Sequence, residues 1–134
     1  MGGEVALTAA SEDPRVGAVV AEGATARTEA DDTLLAEPNP IARANTWLQF
    51  QLVRLLARVP EPPALIDVIP RIRVPVLLIE GGGPREADYG PRYAAAAPVV
   101  TLWMIPESPH VGGLSTRPEE YRQRVLALFD AALG

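Results

Sequence analysis

Three short runs of the chain are apolar at nearly every position instead of every second one: VGAVVAEG (16–23), VPVLLIEGGG (74–83) and VVTLWMIP (99–106). Unbroken apolar runs of this length, rich in Val, Ile and Leu and closed by Gly or Pro, predict strands covered on both faces. That is the pattern of a parallel sheet flanked by helices. Pro75 stands at the entrance of the second run, where a missing N–H costs least.

Other segments follow the helical period. Residues 4–11 predict a short helix that stops at the turn Glu12-Asp13-Pro14. The C-terminal segment sets Tyr121, Val125, Leu128 and Ala132 on one stripe, with Thr116 and Glu119 at capping-box spacing. Between the second and third runs, Gly90-Pro91 predicts an interruption and 92–97 a short helix. The block 24–73 differs: it is polar at first (ARTEADDT), then offers Asn39-Pro40 as an N-cap and first helical position. A helix follows with Ile41, Ala44, Leu48, Leu52, Leu55 and Val59 on one stripe, until PEPP at 60–63 breaks it. Strand and helix alternate, with one helical excursion. The expectation is a single α/β domain over 1–134 carrying a helical cap or lid insertion at 24–73.

At 134 residues the chain holds one domain at most. Hydrophobic residues at 48% and charged residues at 22% are the composition of a soluble globular domain. The net charge is −5 and the basic residues, all Arg, form no cluster, so the electrostatic footprint of a nucleic-acid or anionic-membrane binder is missing. With no Cys and a single His, a Cys/His zinc site cannot be assembled, and no metal or other cofactor is expected. The triple glycine at 81–83 lacks G-x-G-x-x-G spacing and runs into Pro84, which argues against a phosphate loop. No apolar run approaches the roughly 20 residues that cross a bilayer.

The solitary His110 sits in PESPHVGGL, past the third predicted strand and ahead of the last helix. Ligands and catalysis in open α/β sheets gather at the carboxyl ends of strands. A strand, a loop histidine followed by small residues and a closing amphipathic helix resemble the C-terminal end of the α/β-hydrolase fold. The opening MGGEVAL is similar to the tail of that family's nucleophile elbow, G-x-S-x-G-G, with Met1 in the slot immediately after the serine. The order of the remaining elements matches the second half of the family's domain.

The resemblance implies a serine-type hydrolase of ester-like small molecules, in its complete form, with a Ser-His-acid triad. His110 would be the general base, the backbone nitrogen of Met1 an oxyanion-hole donor, and the nucleophile would precede residue 1. Ser11, Ser108 and Ser115 lack elbow flanks, so the chain as written is expected to be inactive. For the acid, Glu86 is the first choice, with Asp88, Glu80 and Glu22 left open. Trp47 and Phe50 stand off the apolar stripe of their helix and are expected to line an acyl or alkyl pocket under the lid. The strand at 16–23 would present an edge rich in Val and Ala, which implies self-association. Two other readings stay open: a non-catalytic half-domain that pairs with a partner chain, and a small α/β binding module.

Overall fold

The computed structural model describes residues 2–35, 39–58, 60–83 and 85–134. Met1, Val59 and Pro84, which carried expectations above, lie outside the described residues. Among those described, three parallel strands form one sheet in the order β1 (Val19–Glu22), β2 (Val76–Gly81), β3 (Val100–Ile105). Val19 pairs with Val76, and Val76 with Val100, so the strands start level and their carboxyl ends share one rim.

Alternation along the strands sorts the core onto two faces. Val19, Ala21, Val76 and Leu78 face a cluster with Leu7, Leu65, Ile69, Ile72, Tyr89 and Tyr93. These residues come from α1 (Gly2–Glu12), α4 (Leu65–Val68) with its 3₁₀ turn Ile69–Arg71, and α5 (Glu86–Ala96). Leu77, Ile79, Trp103 and Ile105 face the other way, with Tyr121, Val125 and Leu128 of α7 (Pro118–Leu133) packed on them. β2 is buried at every position, which is why its sequence does not alternate.

Gly3 explains half of the opening glycine pair. A Cβ there would stand 3.1 Å from the Glu22 carbonyl oxygen, so the first turn of α1 lies against the end of β1. Gly2 meets nothing within 4 Å.

Several expectations need correction. Gly90-Pro91 does not interrupt the segment after β2: α5 runs from Glu86 to Ala96 with Pro91 inside it. The cost of a proline there is met by tertiary packing, since Tyr89 and Tyr93 are fully buried on either side of it and their rings stack. Gly90 is needed because a Cβ would press to 2.9 Å of the Glu80 side chain. The capping box at Thr116 is not formed. Thr116 ends the short α6 (Gly113–Thr116), its hydroxyl donates to the Gly112 carbonyl, and α7 starts from Arg117 with Pro118 in its first turn.

A capping box does occur where the sequence reads as merely polar. Thr28 and Asp31 exchange the reciprocal bonds that start α2 (Glu29–Asp32). Asp31 is buried and its other oxygen accepts from the Ile66 amide, tying α2 to α4. Finally, α3 (Pro40–Ala57) has its Asn39 cap as expected but no buried residue. Its apolar stripe, Ile41, Leu48, Leu52 and Leu55, stands exposed.

Candidate active site

The rim formed by the strand ends gathers three loops. After β1 comes Gly23, with φ +67, a left-handed conformation that side chains rarely adopt. After β2 comes the triple glycine, and after β3 the histidine loop. The last two are in backbone contact: the Gly82 amide donates to the Ser108 carbonyl at 3.0 Å. A Cβ on Gly82 would fall 1.8 Å from the Pro106 carbonyl oxygen. No other residue fits there, so the close approach of the two loops requires the glycine.

His110 lies on that rim. The Gly112 amide donates to the Pro109 carbonyl, and Ser115 and Thr116 hydroxyls both donate to the Gly112 carbonyl, so the loop is held by its own backbone. Val111 has φ 54. A β-branched residue in that region costs about 1–3 kcal/mol. Strain of this size directly after the only histidine marks the loop as constrained.

The imidazole Nδ1 is 2.5 Å from Glu86 Oε1. The other Glu86 oxygen accepts the Gly81 amide at 2.8 Å. The Glu86 side chain is 4% exposed and the histidine 60%. A carboxylate accepts and does not donate, so it holds the ring proton on Nδ1 and leaves the Nε2 lone pair outward. Glu86 is the first residue of α5, where the helix dipole favours its charge.

The other carboxylates have different surroundings. Glu22 accepts the Gly113 amide at 2.6 Å and the Tyr121 hydroxyl at 3.3 Å, which fastens β1 to the start of α6 and α7. Burial, and then the Glu22 charge, push the Tyr121 phenol up. Asp88 is exposed. Glu80 is buried without a hydrogen bond among the described residues, and burial followed by the neighbouring Glu86 charge pushes it up to about 9. The three serine hydroxyls donate to backbone carbonyls, Ser11 to Thr8, Ser108 to Pro109 and Ser115 to Gly112.

Trp47 and Phe50 line an open groove of about 620 Å³ between α2 and α3, with Glu29, Asp32 and Arg43 on its walls. Phe50 and Asp32 also line a second hollow of about 300 Å³ that extends to Thr25 and Arg85. Arg85 precedes Glu86 in the chain, and it is ion-paired to Asp32. The second hollow thus reaches the residue next to the carboxylate bonded to His110. Gly23 and Val111 are the site features that sequence reasoning missed. Only the glycine after the first apolar run gave any signal.

No protein-family model matches the chain, and no curated protein matches it. Solved structures do. An esterase of Pyrococcus furiosus, Pf2001, is 21% identical with a TM-score of 0.60, and the match covers 98% of this chain and 50% of the esterase. NosK of Streptomyces actuosus is 20% identical with a TM-score of 0.64, covering 99% of this chain and 66% of NosK. BpoC of Mycobacterium tuberculosis is 17% identical with a TM-score of 0.61, covering 98% and 65%. The chain spans half to two-thirds of the length of these structures. Its fold is the C-terminal portion of an α/β-hydrolase, with a parallel sheet flanked by helices.

Proposed function

We propose that this chain supplies the general base and the acid of a serine-type hydrolase acting on ester-like small molecules, His110 and Glu86 being that base and that acid. The observation that carries the reading is the bond between His110 Nδ1 and the buried Glu86 carboxylate. It fixes the tautomer that can take a proton at Nε2, and it stabilises the imidazolium that results.

The nucleophile comes from residues outside these 134, at the end of α1 that Gly3 presses against β1. Gly3 abuts Glu22, and the next residue, Gly23, abuts the His110 ring, so both meet the same strand end. A hydroxyl held just ahead of α1 would therefore face the imidazole, and the first turn of α1 would direct its amides at a developing oxyanion. The acyl or alkyl part of the substrate would lie in the groove beside Trp47 and Phe50, under the 24–73 insertion as a lid. By itself the chain does not catalyse serine-type hydrolysis, because none of its three serines donates to the ring.

A p-nitrophenyl ester tests this. The 134-residue chain gives no turnover, and a longer form carrying an elbow serine ahead of residue 1 turns over. His110→Ala abolishes that turnover and Glu86→Gln lowers it by roughly 10²–10⁴-fold. Turnover by the longer form that survives His110→Ala would overturn the reading. So would turnover by the 134-residue chain that His110→Ala abolishes.

A further inference from the structure

Glu80 is the residue whose burial the folding of the chain least explains. It is 0% exposed, on the face of β2 that carries Val76 and Leu78. Neither of its oxygens has a hydrogen-bond partner among the described residues. The titratable groups that bear on it are the carboxyls of Glu86 in α5, Glu4 in α1 and Glu22 in β1, and the phenol of Tyr93. None of these is a cation. A core of Val, Leu and Tyr would accept a methionine or leucine at this position at lower cost.

Two contacts place Glu80 beneath the His110–Glu86 pair. Glu86 and Gly90 are four residues apart in α5, so they share the helix face that meets the end of β2. Glu86 reaches the amide of Gly81, the residue after Glu80, and Gly90 lies against the Glu80 methylenes with no room for a Cβ. The two carboxyl groups are therefore close enough for the charge of Glu86 to act on Glu80. Of two neighbouring carboxyls, the buried one with fewer donors is the one that keeps a proton. Glu86 has the Gly81 amide and the imidazole. Glu80 has neither, and the Ala24 backbone is the one neighbour that favours its charged form.

We propose that Glu80 is a positioning residue of this site: a neutral carboxylic acid that confines the single negative charge of the two carboxyls to Glu86, against His110. This deepens the function proposed above and rests on the His110–Glu86 pair. No bond is made or broken in this role, and the Glu80 proton stays in place throughout. Its direct consequence is coupling. The Glu86 charge is what opposes ionisation of Glu80 most after burial itself, so neutralising Glu86 must make Glu80 easier to ionise.

The test is a carbon-13 NMR titration of the glutamate carboxyls in the full chain, with nitrogen-15 detection of the His110 tautomer. One carboxyl is expected to titrate on the alkaline side, to vanish in Glu80→Gln, and to move down by about one pH unit in Glu86→Gln. Glu80→Gln keeps a neutral polar group and leaves the His110 proton on Nδ1. The proposal is overturned if no carboxyl titrates on the alkaline side, or if the alkaline one stays put in Glu86→Gln. It is also overturned if Glu80→Gln moves the ring proton. A tautomer indifferent to Glu86→Gln removes the pair itself, and with it the function this inference rests on.

Discussion

Gly23 and His110 are in direct contact: a Cβ on the glycine would stand 2.8 Å from the imidazole Cε1 and 3.0 Å from Nδ1. The histidine is therefore held from two sides, by the Glu86 carboxylate and by the bare backbone after β1. Gly23→Ala is expected to push the ring off Glu86 and to cost about 1–2 kcal/mol, because its φ is left-handed. Urea unfolding reads the second effect and the His110 tautomer reads the first. An unchanged tautomer would show that the glycine does not position the ring.

Val111→Gly should stabilise the chain. The valine has φ 54, and glycine adopts that conformation without a Cβ penalty. A gain of about 1 kcal/mol in unfolding free energy is expected, reduced by the extra freedom glycine brings to the unfolded state. The same change loosens the loop, so broader His110 ring resonances accompany the gain. In a form that hydrolyses esters, the rate should fall while the melting temperature rises.

Glu80 gives the stability of the chain a definite pH dependence. Its folded value, about 9, lies above the ordinary 4.5, so the folded chain holds this proton more tightly than the unfolded chain. The resulting stability is complete below about pH 4.5 and is lost progressively as the pH rises to about 9. Glu80→Met removes that dependence. It should be more stable than the parent by several kcal/mol at pH 8, with the difference shrinking toward pH 4.5. Melts at the two pH values check it, and equal shifts at both would refute the sign.

The two glycines most alike in the sequence should respond oppositely to the same change. Gly82→Ala forces a Cβ onto the Pro106 carbonyl, and the loops after β2 and β3 must part. The loss is expected to exceed about 3 kcal/mol, enough to leave little folded protein. Gly2→Ala meets open space and should be neutral within about 0.5 kcal/mol. Soluble yield and thermal melts of the pair provide the comparison.

Those contrasts show where the sequence is legible. The strands could be read because β2 is buried on both faces, and only an unbroken apolar run serves such a position. α3 announced itself by Asn39-Pro40, a local signal that needs no partner. α5 did not, since Gly90-Pro91 argues locally for a break and is overruled by two buried tyrosines from the same segment. The histidine was conspicuous for being alone. The carboxylate bonded to it was harder to choose among four, because the choice depends on how far α5 extends toward β2, and that is a tertiary fact. The exposure of the α3 stripe has the same origin: periodicity shows that a helix has an apolar side, not what lies against it.

The amide-to-carbonyl contact between Gly82 and Ser108 has an implication for how such a protein can diversify. Neither of those two loops can be lengthened without unseating the other, and both flank the imidazole. Changes of length fit more readily in the stretch that crosses over between the first two strands, where the apolar stripe of α3 stands exposed. The rigid margin and the adaptable margin of the molecule are then different stretches of chain, and each can change at its own pace.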